Sequence, residues 1–166
     1  MGDRRDISVV LGLGDAGRRA AVRDALDGVA AVLSDHLSLE DTLMAAELLV
    51  PDVLVLDTHL GRADLAASCF RVQMQVPATR IVAVVPADDD RAYDVLAYGA
   101  FSVVLEDADS TALLEAVHGA ARGESVMPAG CARRLLAEAV RSNARPQDTL
   151  VRPPMLTPTE HEVLTR

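Results

Sequence analysis

The chain has 166 residues, half of them apolar and only 2% aromatic, and its formal net charge is −9 at pH 7. This length suits one ordinary domain with a short extension. The negative charge argues against a nucleic-acid-binding or membrane-surface segment, and no apolar run approaches the roughly 18 residues of a membrane-spanning helix. The polar N-terminus MGDRRDIS leads directly into an apolar run, so we expect no signal peptide and a cytoplasmic location.

Short apolar runs alternate with amphipathic stretches along the first 123 residues. In chain order, the pattern predicts strands over residues 7–13, 29–35, 51–57, 80–86 and 101–107. It predicts helices over residues 16–28, 38–50 (with Ser38 as N-cap), 63–75, 89–100 (ending at Gly99) and 109–123. Five successive strand–helix units predict an α/β fold with a five-stranded parallel sheet and helices on both faces. Ligands of such sheets bind at the carboxyl ends of the strands.

After residue 123 the alternation of apolar runs and amphipathic stretches ends. A further helix is predicted over residues 128–142, and residues 142–155 form a linker that contains Pro and Arg and has no hydrophobic period. The final stretch, LTPTEHEVLTR, predicts the start of another helix, with Thr157 as N-cap and Pro158 at its first position.

A glycine motif follows the first predicted strand. Gly12, Gly14 and Gly17 form G-x-G-x-x-G, and Asp35 stands about twenty residues further on, where a dinucleotide-binding domain carries its ribose-binding acid. A turn that is glycine-rich for other reasons is the alternative. A third interpretation is a different small ligand, because Gly12 and Gly14 would let it approach the backbone closely.

Four segments in this order resemble a bacterial response regulator of the NarL/FixJ type. They are PDVLVLD, LAYGAFSVVLEDAD, LLEAVHGAARGESVMPAGCARRLL and LTPTEHEVL. The resemblance implies a flavodoxin-like (βα)5 receiver domain over residues 1–123 and a linker helix with a linker over residues 124–155. It also implies the start of a LuxR-type helix-turn-helix DNA-binding domain over residues 156–166.

The resemblance also implies a phosphorylation site at the strand ends. In the family, two acids and the acceptor aspartate hold Mg²⁺, a lysine contacts the phosphoryl group, and a hydroxyl and an aromatic residue respond to it. Asp57 takes the acceptor position. The other positions have lost their chemistry: Leu13 and Gly14 replace the two acids, Glu106 the lysine, Val84 or Val85 the hydroxyl residue, and Val103 the aromatic residue.

These replacements predict an atypical receiver. Leu13 and Gly14 offer no oxygen ligand for Mg²⁺, and the chain contains no lysine. A like charge at about 4 Å from a phosphoryl group costs roughly 4 kcal/mol at an effective dielectric constant near 20, which is what we expect of Glu106. We therefore expect no catalytic residue, no metal and no cofactor, with Asp57 as a vestigial phosphoacceptor.

The expected role is a non-enzymatic regulatory domain of a DNA-binding transcriptional regulator, controlling dimerisation and output without aspartyl phosphorylation. One alternative is a conventional receiver that is activated by phosphorylation at Asp57. Another is a domain that senses a small molecule in an apolar pocket formed by Leu13, Val84 or Val85, and Val103. An enzymatic or nucleotide-binding α/β domain is the alternative of a different class.

The expected partners are a second copy of the chain and, through the rest of the C-terminal domain, DNA. The resemblance implies that the helix that reads the major groove would follow residue 166, so we expect no specific DNA binding by this segment alone. A small-molecule or protein effector stays open, and no membrane is expected. Candidate dimer surfaces are the face with Tyr98 and Leu114, and the linker helix with Leu135, Leu136 and Val140.

Other reactive side chains are interpreted as structural. Cys69 and Cys131 lie in separate predicted helices without metal-ligand spacing, as buried reduced thiols. The acidic run from Asp88 to Asp90 is interpreted as a solvated helix start rather than a metal site. The histidines lack metal spacing and are interpreted as surface or packing residues: His36, His59, His118 and His161.

Overall fold

A computed structural model describes residues 6–60, 64–87 and 91–144. The strands are β1 (Ile7–Gly12), β2 (Ala30–His36), β3 (Val53–Asp57), β4 (Arg80–Val85) and β5 (Ser102–Leu105). The helices are α1 (Ala16–Leu26), α2 (Leu39–Leu49), α3 (Leu65–Gln75), α4 (Arg91–Ala97), α5 (Ser110–Arg122) and α6 (Ala129–Ala144). The acidic run 88–90, His161 and the predicted helix-turn-helix start at 156–166 lie outside the described residues.

The five strands form one parallel sheet in the order β2-β1-β3-β4-β5, which confirms the predicted fold class. Every residue of β3 is buried, as its continuous aliphatic run predicts for a central parallel strand. The chain winds outward from β1 to β2 and then crosses to β3. The carboxyl ends of β1 and β3 therefore meet at the point where the strand order reverses, which is the usual ligand position in such sheets.

Two apolar cores cover the two faces of the sheet. On one face the strands pack against α2, α3 and α4, and on the other they pack against α1 and α5. Alternate residues of each strand serve opposite faces, because successive side chains of a strand point to opposite sides. Val82 thus lies in the core under α1 and α5, whereas its neighbours Ile81 and Ala83 lie in the other.

The element ends follow local hydrogen bonding. Ser38 caps α2 as predicted, with its hydroxyl accepting from the N–H of Asp41. The strand predicted to begin at Pro51 begins two residues later, at Val53, and the carboxylate of Asp52 accepts hydrogen bonds from the backbone N–H and the hydroxyl of Ser8. After α4 the chain turns at Gly99, whose φ of +118° favours glycine.

The chain divides into two compact units, the first of which ends at Cys131. α6 contributes its greater part to the second unit and is an amphipathic helix. No helix among the described residues is long and apolar enough to cross a membrane.

Candidate functional site

Asp57 ends β3 at the carboxyl edge of the sheet, and only 1% of its surface is exposed. Its Oδ1 accepts hydrogen bonds from the backbone N–H groups of Gly14 and His59, each at 3.0 Å, and its Oδ2 lies 3.2 Å from the Gly14 nitrogen. Burial raises the pKa of the Asp57 carboxyl, and the two N–H donors oppose that rise. The carboxylate is therefore held by the chain's own backbone.

The glycine motif serves close packing within the chain. A Cβ added to Gly14 would overlap the backbone carbonyl of His59, so only glycine allows the loop after β1 to approach the loop after β3. At Gly12 an added Cβ would meet Thr42 and Leu56. The space beside both glycines, considered above as a ligand approach, is filled by side chains and backbone of the protein itself.

Glu106 lies just beyond β5 and contacts the guanidinium of Arg18 and the imidazole ring of His59. Its Oε1 is 2.7 Å from Nε2 of His59 and 3.2 Å from Nη1 of Arg18. That Arg18 nitrogen is buried and makes no hydrogen bond of good geometry, so its attraction to Glu106 is ionic. Arg18 therefore offsets part of the negative charge that Glu106 brings to the lysine position.

Asp15, the acid nearest the lost pair, has a structural task. It caps α1, with its Oδ1 accepting from the backbone N–H of Arg18 at 2.8 Å. That hydrogen bond lowers the pKa of the Asp15 carboxyl. Capping also places Arg18 in the first turn of α1, from which its guanidinium reaches Glu106.

The apolar positions of the degenerate site do not line one pocket. Leu13 and Val84 belong to the core under α1 and α5, whereas Val85 and Val103 belong to the core under α2, α3 and α4. All four are at most 4% exposed. The space that the small-molecule alternative needs at these positions is therefore packed, and the four side chains lie on opposite faces of the sheet.

A cleft of about 170 Å³ lies instead between α1 and α5. Alanines leave the space: Ala21 and Ala25 on α1 and Ala108 before α5. Arg18 and Glu106 of the strand-end network also border it, so the cleft adjoins the Asp57 site.

A Mg²⁺ ion does not fit the residues present. Leu13 supplies no donor, and both oxygens of Asp57 face backbone N–H groups. Within residues 6–60, 64–87 and 91–144, no group of three His, Cys, Asp or Glu side chains is placed to hold a metal.

The remaining candidate residues are engaged elsewhere. Asp35, considered as a ribose-binding acid, forms ion pairs with Arg19 and Arg23 of α1. Cys69 is fully buried and burial raises the pKa of its thiol to about 12, whereas Cys131 is half-buried.

Sequence reasoning missed Arg18 and His59 as members of the site. The sequence predicts a surface or packing role for His59, yet its backbone binds Asp57 and its ring binds Glu106. In the sequence, only position could have indicated that these residues belong to the site. His59 stands two residues after Asp57, and Arg18 stands three residues after Asp15, the cap of α1.

Comparisons with known proteins agree with the fold. The transcriptional regulatory protein YxjL of Bacillus subtilis (strain 168) is 26% identical over 103 residues, which cover 61% of this chain and 47% of that protein. The chain thus spans about half the length of this curated relative. No protein-family model matches the chain.

Solved structures show the same architecture. The receiver domain of the response regulator NarL from Mycobacterium tuberculosis is 26% identical, with a TM-score of 0.67 over 72% of this chain and 98% of that one. A structure of two RcsB dimers bound to two parallel DNAs is 15% identical, with a TM-score of 0.67 over 84% of this chain and 77% of that one.

Proposed function

We propose that this chain, a receiver domain of a transcriptional response regulator, controls dimerisation and output without aspartyl phosphorylation. The observation that carries the proposal is the closed network at the strand ends. Gly14 and His59 bind Asp57, while His59 and Arg18 bind Glu106. The loops after β1, β3 and β5 are therefore joined by the protein's own groups.

The same network opposes phosphoryl transfer. A transferred phosphoryl group spreads negative charge over several oxygens, which a receptive site neutralises with a metal ion or cations. Here the guanidinium of Arg18 is already paired with Glu106, and the positions of the acid pair offer no metal ligand. A phosphoryl group on Asp57 would also displace the N–H donors of Gly14 and His59.

The proposed output is a symmetric dimer that brings two DNA-binding domains to two half-sites. The RcsB structure contains dimers on DNA, and the LTPTEHEVL motif supports a helix-turn-helix domain from residue 156 onward. In this proposal, specific DNA binding needs the remainder of that domain and is not a property of residues 1–166 alone.

Treatment with acetyl phosphate and Mg²⁺ tests the proposal. We expect no phosphoryl adduct by intact-mass spectrometry, and no change in sedimentation, for the wild type or for Asp57→Asn. A conventional receiver treated in parallel provides the positive control. An adduct that is absent from Asp57→Asn and shifts the monomer–dimer equilibrium would overturn the proposal.

The cleft between α1 and α5 favours a second candidate function, the sensing of a small apolar ligand. An apolar space of about 150 Å³ is enough for one aromatic ring, and this cleft holds about 170 Å³. A thermal-shift screen of ring-sized compounds against the wild type and Ala25→Leu tests it. A shift in the wild type that Ala25→Leu abolishes supports sensing, and no shift from any compound removes this candidate.

A further inference from the structure

The exposed apolar side chains of the described residues are unevenly distributed. More than half of the large ones lie between Val29 and Val50, on β2, on α2 and at the residues directly next to these elements. On α2, Met44 is 60% exposed and Leu48 is 81% exposed. One helical turn separates these two, so they form a single outward stripe. Concentrated apolar surface of this kind marks an interaction site.

The nearby sheet edge is a poor partner for another strand. β2 is an edge strand, but the register shifts from Val9 opposite Val32 to Val10 opposite Ser34 and leaves Leu33 without a partner. Such a bulge twists an edge and interrupts its ladder, which discourages strand addition. The exposed surface therefore suits a helix packed against α2.

The charge of α2 indicates which kind of helix could pack against it. α2 contains three acids and no basic residue, namely Glu40, Asp41 and Glu47. Two copies of α2 facing each other would bring these acids together. A helix with an apolar stripe and basic flanks is complementary to it.

α6 has that chemistry. Leu136 and Val140 are 67% and 66% exposed and are also spaced by one turn. The helix carries Arg133, Arg134 and Arg141 against a single acid, Glu138. Each copy of the chain thus offers both halves of the contact.

We propose that α6 of one copy docks its Leu136–Val140 stripe on the Met44–Leu48 stripe of α2 in a second copy. Repeated reciprocally, the contact gives a closed two-fold dimer with two helix pairs. This inference rests on the dimerisation in the proposed function and names its surface. It also replaces the face containing Tyr98 as the dimer surface while retaining the linker helix.

Complementation between variants of the full chain tests the contact. M44S/L48S removes the α2 stripe and L136S/V140S removes the α6 stripe, so neither variant can form a helix pair with itself. We expect each to raise the dimer dissociation constant at least about tenfold in sedimentation equilibrium. An equimolar mixture of the two retains one intact pair and should form heterodimers.

The matched control is F70S/M74S, which removes another apolar stripe that is more than half exposed, on α3. It should leave the dissociation constant unchanged. Heterodimers in the mixture support the contact. A mixture that associates no better than its components overturns it and indicates a contact within one chain or with another protein.

Charge exchange gives an independent readout. Asp41 and Glu47 flank Met44 on opposite sides of the stripe, three residues before and after it. Arg133→Glu should weaken the dimer, and either Asp41→Arg or Glu47→Arg should restore it. Rescue by neither overturns the inference. Wild-type dimers that none of these variants weakens would reject this surface but leave the phosphorylation-independent function standing.

Discussion

The strand-end site around Asp57 and the cleft between α1 and α5 share Arg18 and Glu106, yet one is closed and the other open. At the strand ends, backbone N–H groups and an ionic network occupy the polar atoms, and the neighbouring apolar side chains are buried. In the cleft, alanines leave about 170 Å³ unfilled.

The difference shows that loss of polar chemistry does not by itself create a ligand pocket. The valines and the leucine at the degenerate positions pack in the two apolar cores, because successive side chains of a strand point to opposite faces of the sheet. Space arises where small side chains face each other across two helices.

We expect the largest effect from Gly14→Ala, which tests whether the loops after β1 and β3 are in close contact. The added Cβ would overlap the His59 carbonyl, so the two loops would have to separate. We expect a loss of about 3 kcal/mol or more in the free energy of unfolding, measured by urea denaturation. Gly17→Ala in the same motif is the control and should change stability by less than about 1 kcal/mol, since its Cβ meets only Asp15. Equal effects would show that the loops are not in close contact.

The second test removes the acceptor. Asp57→Ala leaves the N–H groups of Gly14 and His59 buried without a partner, and we expect a cost of about 2–3 kcal/mol in urea unfolding. Asp57→Asn keeps one acceptor oxygen and should stay within about 1 kcal/mol of the wild type at pH 4. If Asp57→Ala lowers the free energy of unfolding no more than Asp57→Asn does, these hydrogen bonds do not stabilise the site.

The sequence was sufficient for the fold because that depends on regular features. The periodic apolar runs predicted all five strands. Ser38 and Gly99 predicted where helices begin and end, because a hydroxyl cap and a positive φ each favour very few residue types. The site depended on long-range contacts. Whether Glu106 stands unpaired is decided by Arg18, which is distant along the chain, and whether Val84 and Val103 share a pocket is decided by strand register.

A third prediction concerns pH. Burial raises the pKa of Asp57 above its ordinary value of about 3.9. At pH values between the pKa of Asp57 in the unfolded chain and its raised pKa in the folded protein, the folded protein binds more protons than the unfolded chain. This group therefore lowers the free energy of unfolding as the pH rises through that range. Asp57→Asn lacks the titration. Its stability relative to the wild type should therefore increase from pH 4 towards pH 7, measured by urea unfolding at each pH. A relative stability that decreases over this range would mean that the N–H donors outweigh burial.

The smallest effect is expected in the cleft. Ala25→Leu extends a half-buried side chain of α1 into the apolar space beside Leu113 and Val104 without displacing a packed group. Each newly buried methylene contributes about 0.8 kcal/mol, and part of this is offset by lost side-chain freedom. We expect a net gain of about 1 kcal/mol in urea unfolding. Ala67→Leu on the exposed face of α3 provides the control for helix propensity and should be nearly neutral. A loss of stability in Ala25→Leu would mean that the cleft closes in solution, and the contrast with the Asp57 site would then disappear.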